Sequence, residues 1–188
     1  MSKKELTNYK ENLTKIIDSI DFSEINSLSE KILKIWSEKK KLFICGNGGS
    51  AGNAIHIAND MIYGIGNGNT PGLDVEALSA NSSVITCLAN DTGYENIFSK
   101  QIEAKGKKGD LLICLSGSGN SKNIIQAIKK AKILEIDTFG ILGYSGGEAK
   151  KLLDNSIHTK IDDMQISEDM QLIIMHMCTR NIMSNLNK

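Results

Sequence analysis

The sequence predicts an α/β domain of three layers, with helices on both faces of a mainly parallel sheet, and three observations carry this. Short apolar runs alternate along the chain with stretches of helical spacing. Two of the runs, Leu42 to Cys45 and Asp110 to Leu115, are almost continuously apolar, as strands covered on both faces are. Each breaks into a glycine-rich turn that leads directly to a helical segment, and in such sheets ligands sit outside the carboxyl ends of the strands.

The elements follow in order. Leu13, Ile16, Ile17 and Ile20 mark one helical face, and Ile25, Leu28, Ile32, Leu33 and Trp36 mark a second, with Asp21-Phe22-Ser23 between them and Ser23 as the expected cap. Residues 1–40 are therefore a helical extension whose generous apolar faces suit a partner subunit, and 41–188 form the core of a single domain, 1–188. A helix over Ala51 to Tyr63 leads to Gly64–Gly72, which reads as a flexible loop and holds the only proline. Leu73–Ala77 is a short strand, Ser82–Ala89 a helix ending in the polar turn Asn90-Asp91-Thr92-Gly93, and Glu95–Ala104 another helix. After the second main strand come a helix over Lys122–Leu134, a strand over Thr138–Leu142 with its turn at Gly143–Gly147, and an alternating, edge-like strand over Ser156–Lys160. Ser167 is the expected N-cap of a long Met-rich helix reaching about Leu186.

Composition bounds the function. Lys plus Arg and Asp plus Glu both number 22, so no global field draws the chain to nucleic acid or to an anionic membrane, and a charged ligand has to be gripped locally. Cys45, Cys87, Cys114 and Cys178 are far apart in apolar stretches, which reads as reduced core thiols of a cytoplasmic protein. No signal peptide and no membrane-length apolar run is recognised.

Chemistry concentrates at the two turns. Gly46-Asn47-Gly48-Gly49-Ser50 lets backbone approach a ligand closely and opens a helix whose N–H groups and dipole favour an anion. It lacks the lysine of a phosphate-binding P-loop and the glycine spacing of a dinucleotide site. Ser116-Gly117-Ser118-Gly119-Asn120-Ser121 interleaves hydroxyls with glycines and again precedes a helix, so both hydroxyls and N–H groups can meet one phosphate. Among titratable groups, His56 and Asp60 share a helical face, four residues apart. His176 lies on the last helix with Asp169 two turns earlier on nearly the same face and Glu168 about 80° round it. These groups suit a divalent metal or an acid/base pair. The alternative is a half-buried histidine with first-turn acids that complement the helix dipole. His158 reads as a solvated edge-strand histidine.

Gly46-Asn47-Gly48-Gly49-Ser50, His56, the Asn90-Asp91-x-Gly-Tyr stretch, the Ser116–Ser121 turn and His176 together resemble the phosphoheptose isomerases of the sugar isomerase (SIS) domain superfamily, over nearly the whole chain. The resemblance implies a flavodoxin-like αβα sandwich and a homotetramer with active sites between subunits. It also implies conversion of sedoheptulose 7-phosphate into D-glycero-D-manno-heptose 7-phosphate, towards heptose for lipopolysaccharide, capsule or other glycans. By the same resemblance Asn47, Gly48, Gly49 and Ser50 contact substrate, Ser116, Gly117, Ser118 and Ser121 hold its phosphate, and Asn90, Asp91 and Glu168 lie near the sugar. A zinc ion would fall to His56, Asp60, Glu168 and His176, with Asp60 and His176 as base and acid.

Three positions depart from the family pattern: Asp60 replaces a glutamate, Glu168 a glutamine and Gly117 a threonine. They keep open two alternatives, an isomerase of another phosphosugar and a non-catalytic relative that acts by protein contact, as the tetramer that binds the bacterial replication initiator does.

Overall fold

The computed structural model describes residues 3–66 and 71–186. Five strands, β1 Leu42–Cys45, β2 Val75–Ala77, β3 Leu111–Ser116, β4 Asp137–Leu142 and β5 Asn155–His158, form one sheet in the order β2-β1-β3-β4-β5, with every neighbouring pair parallel. The helices are α1 Lys3–Asp18, α2 Phe22–Ser37, α3 Gly49–Ile62, α4 Ser82–Thr92, α5 Ser99–Lys105, α6 Lys122–Ile133, α7 Ala149–Leu152 and α8 Met164–Leu186. This is the three-layer, flavodoxin-like arrangement expected.

Period-2 alternation divides the strands between two apolar layers. Leu42 and Ile44 of β1 and Leu111, Ile113 and Leu115 of β3 face a cluster built on α2, α3 and α8. Phe43, Cys45, Leu112 and Cys114 face the opposite cluster, built on α5 and α6. All of these strand side chains are fully buried, which is why the two runs carry no polar alternation.

The leading helices differ in status. Ile25, Leu28, Ile32 and Ile35 of α2 are buried in the main core, whereas α1 has no buried residue and its Tyr9, Leu13, Ile16 and Ile17 only half cover themselves against it. Cap positions differ from expectation for a local reason. Asp21, not Ser23, caps α2, because its carboxylate accepts from the Ser23 N–H at 2.8 Å; hydrogen bonds from the Ser23 side chain and then from this N–H hold its pKa below the usual carboxylate range. Asp163 takes the place expected for Ser167: its carboxylate accepts from the Ile166 N–H at 3.0 Å, so α8 starts four residues early. Asn90 and Asp91 lie in the last turn of α4, which ends at Gly93 with φ +90°, and the next helical stretch is split into a short 3-10 turn, Tyr94–Asn96, and α5. The loop expected over 64–72 falls partly outside the described residues; Gly64–Gly66 is a 3-10 turn.

β5 is an edge strand, but its histidine is not simply solvated. His158 Nε2 lies 2.9 Å from the Tyr144 carbonyl, to which it donates, and Nδ1 accepts from Lys150 Nζ at 2.9 Å, so the ring ties β5 to the turn after β4. Cys45, Cys114 and Cys178 are buried thiols, while Cys87 is exposed on α4. No helix of the described residues is long and apolar enough to cross a membrane.

Candidate active site

The chain leaves β1 towards β2 on one side and returns to β3 on the other, so the crevice between the carboxyl ends of β1 and β3 is the switch point of this sheet. Cys45 and Cys114 pair across it, and the two glycine turns follow directly. In the first, Gly48 (φ +56°) is the N-cap of α3, in a conformation that L side chains rarely adopt. In the second, Ser116 Oγ accepts from the Gly119 N–H at 3.0 Å and Ser118 Oγ from the Asn120 N–H at 3.2 Å. Both oxygens thus spend a lone pair on the loop and keep their O–H hydrogens for an acceptor. Ser121 is the N-cap of α6 with no capping bond from its side chain, beside the free N–H groups that open that helix.

The turn after β4 braces this loop. The Gly143 N–H donates to the Gly117 carbonyl at 3.0 Å, Ala149 N–H to the Gly119 carbonyl at 2.9 Å, and Glu148 N–H to Asn120 Oδ1 at 2.9 Å. Gly117 itself lies against Met164 and Tyr144, as a Cβ there would stand 3.1 Å from Met164 Sδ and 3.5 Å from the Tyr144 ring. Asn47 and Asn123 join the two turns across the crevice by a reciprocal pair of amide hydrogen bonds, at 2.9 and 2.8 Å.

His56 and Asp60 on α3 and His176 on α8 converge. His56 Nε2 and His176 Nε2 are 3.2 Å apart, and Asp60 Oδ2 lies 3.5 Å from the first and 3.4 Å from the second. These three donor atoms form a group able to hold a metal ion. A tetrahedral ion bound at about 2.0–2.1 Å separates its ligands by about 3.3–3.4 Å, the spacing found here to within 0.2 Å. The circle through the three atoms has a radius of about 1.95 Å, shorter than those bonds, so one ion can touch all three and keep a side open. Two half-exposed imidazoles inclined at 68° and a carboxylate are all ligand types that zinc accepts, so the donor set as well as its spacing suits a divalent cation.

Glu168 does not join that group. Its carboxylate packs on the first turn of α3, where a Cβ on Gly49 would lie 2.3 Å from it. It therefore sits by the positive end of α3, whereas the first turn of α6 holds no acidic residue. Asn90 and Asp91 are exposed; among the described residues their side chains bond each other at 2.8 Å, and Cys87 Sγ approaches Asp91 at 3.5 Å.

Several supporting residues escaped the sequence reading. Gln171, buried on α8, donates to Ser50 Oγ and accepts from Asn53, which also donates to the Glu168 carbonyl, so α3 and α8 are clamped beside the metal-capable group. Tyr9 of α1 donates to the Asp169 carboxylate, and that bond, burial and the nearby acids push its pKa up to about 12. Asn123 and Tyr94 act through Asn47. Each of these is a single polar residue whose partner is far away in the chain, so neither period nor local motif could reveal it.

The SIS domain profile matches residues 8–143. Similar curated proteins include a phosphoheptose isomerase of Helicobacter pylori strain Shi470, 37% identical over 98% of this chain and 97% of its own length. Another, from Clostridium acetobutylicum, is 40% identical over 81% of this chain and 78% of its own. Among solved structures, phosphoheptose isomerase from Neisseria gonorrhoeae superposes with a TM-score of 0.87 at 27% identity, covering 97% of this chain and 98% of that one. The parallel sheet, the two tied turns at its switch point and these likenesses agree: the chain belongs to the SIS-domain family and, within it, to the phosphoheptose isomerases.

Proposed function

We propose that the chain isomerises sedoheptulose 7-phosphate to D-glycero-D-manno-heptose 7-phosphate in the cytoplasm, the entry of heptose into lipopolysaccharide, capsule or related glycans. The observation that carries this reading is that one chain joins two functional halves: tied Ser/Gly turns suited to a phosphate, and a His/Asp group brought together from separate helices. The curated relatives named phosphoheptose isomerase support it.

The turn Ser116–Ser121 and the N-terminus of α6, whose first residue is Lys122, hold the phosphate through O–H and N–H donors. Asn47, Gly48, Gly49 and Ser50 line the route of the sugar, with Asn90, Asp91 and Glu168 completing its surroundings. Aldose–ketose exchange moves one proton between C1 and C2 and another between their oxygens, through an enediolate. Asp60 takes the carbon proton as base, and His176, 3.4 Å from it, serves the oxygens as acid. His56, Asp60 and His176, without Glu168, would hold zinc, which would supply positive charge to polarise the carbonyl and steady the developing negative oxygen. The short side chain at 60 is compatible with this role, because its carboxylate already reaches both imidazoles.

We infer further that the working unit is a homotetramer whose sites are completed between subunits. Ile55 and Ile62 are 44% and 55% exposed on the same helix as His56 and Asp60, Tyr63 is 76% exposed at its C-cap, and the apolar face of α1 is only partly covered by the chain. Apolar side chains clustered beside a site are what a partner subunit covers.

The test is incubation with sedoheptulose 7-phosphate, with and without added zinc, followed by product analysis, for the wild type and for Asp60→Asn and His176→Asn. Isomerisation lost in either variant is expected. Full activity in both would remove the two residues from the mechanism, and no heptose product from the wild type would leave a sugar-phosphate binding protein.

A further inference from the structure

Asn123 and Tyr94, we infer, are positioning residues that set the direction of the Asn47 side-chain amide, so that this position offers the sugar phosphate a hydrogen-bond donor and nothing else. The inference rests on the reading of Asn47 as a substrate contact. The backbone N–H of Ile124, in the first turn of α6, donates to Asn123 Oδ1 at 2.9 Å. A backbone N–H can only donate, so Oδ1 of Asn123 is identified as the oxygen and its amide cannot be turned over.

The consequence passes across the crevice. With Asn123 Oδ1 fixed as acceptor, the Asn47 atom 2.9 Å from it is Nδ2, and the Asn47 atom 2.8 Å from Asn123 Nδ2 is Oδ1. Tyr94 adds a second donor to that same oxygen, its hydroxyl lying 2.9 Å from Asn47 Oδ1. Both lone pairs of Oδ1 are then used, one by Asn123 and one by Tyr94, and one of the two N–H hydrogens goes to Asn123. Among the described residues, the remaining N–H of Asn47 has no partner. Asn123 is buried, 1% exposed, while Asn47 is half-buried, so the unspent N–H lies on the side away from Asn123, towards the open crevice.

A free amide in solution presents donor and acceptor alike and turns between them. This one is held in a single state by a chain of bonds that starts at the backbone of α6 and ends at the rim of α3. The group it selects is an oxygen with a lone pair, whether carbonyl, hydroxyl or phosphate, and it repels none of them with a lone pair of its own. Tyr94 sits on the connection after α4 and is 55% exposed, so its hydroxyl sets the amide without supporting the core.

A double-mutant cycle separates this role from a structural one. Two readouts are taken: kcat/KM for isomerisation, and the Kd for a heptitol 7-phosphate, which has no carbonyl to isomerise, by calorimetry. Tyr94→Phe and Asn123→Asp are each expected to weaken both about three- to tenfold, the size of one hydrogen bond lost, with the melting temperature of Tyr94→Phe unchanged. In an Asn47→Ala background the same two substitutions are expected to have less than about a twofold effect, because the amide they set is gone. Equal effects in the presence and absence of Asn47 would overturn the inference, as would wild-type binding by Tyr94→Phe. If Asn123→Asp fails to fold, the Tyr94 arm decides alone. A wild type that binds the heptitol phosphate but forms no product would refute the isomerase reading while leaving the cycle in binding intact, so the two failures are told apart.

Discussion

Gly119→Ala tests the phosphate turn most directly. Gly119 has φ +66°, and a methyl group there would stand 2.0 Å from the Gly146 carbonyl oxygen and 3.1 Å from the Gly147 nitrogen. Both obstacles are backbone, so neither can rotate away. Since real Cβ contacts stop near 3.0 Å, the turn after β4 has to retreat by about 1 Å. The left-handed conformation costs an alanine about 1–2 kcal/mol. The retreat weakens two bonds, Ala149 N–H to the Gly119 carbonyl and Glu148 N–H to Asn120 Oδ1, worth about 0.5–1.5 kcal/mol each. The sum is a loss of about 2–5 kcal/mol, which for a chain of this size is a fall in melting temperature of about 4–20 °C. A displacement of about 1 Å also costs on the order of a hundredfold in rate where it moves a substrate-positioning loop. Urea melts at 25 °C and steady-state kinetics read the two effects. A variant that keeps both the wild-type midpoint and the wild-type KM would refute the claim that this loop is held rigid by the turn behind it.

Three further outcomes are expected. In chelator-treated protein, zinc at about a hundred times its Kd should raise stability by about 2.7 kcal/mol, a shift of about 5–10 °C in melting temperature, and His176→Ala should abolish the shift; an equal shift in the variant would remove His176 from the metal group. Tyr9 is protonated in both folded and unfolded chains below about pH 10, but between about pH 10 and 12 the unfolded chain ionises first, so stability should fall as pH rises through that window. Tyr9→Phe should flatten this slope in melts from pH 9 to 11.5, and an unchanged slope would show that the α1–α8 contact does not form in solution. Gln171→Leu strips the buried partner of Ser50 and Asn53 and should cost about 1–3 kcal/mol in urea melts; a neutral result would mean that water replaces it without loss.

The sheet and its two chemical turns were legible from residues alone because each is a local property. Leu42–Cys45 and Leu111–Ser116 are short apolar runs, and a glycine turn at the end of such a run can only lie at a strand's carboxyl end. The helical face shared by His56 and Asp60 was legible for the same reason, as four residues span one turn of α3. What lies across the fold was not. That His176 meets the other two at 3.2 and 3.4 Å depends on α3 and α8 packing side by side, clamped by Gln171, Ser50 and Asn53, and no spacing in the sequence records that contact. The position of Glu168 against Gly49 is equally a matter of how two helices meet, and it separates Glu168 from the group with which its place in the chain associates it. Cap positions fell between these cases: Asp21 and Ser23 are both competent, and the backbone path selected Asp21. Residue type and period thus determined the strands, the turns and which side chains could carry chemistry, because those depend on neighbours within a few residues. Only the tertiary structure decided which of them meet, because the meeting is set by helix packing between segments more than a hundred residues apart.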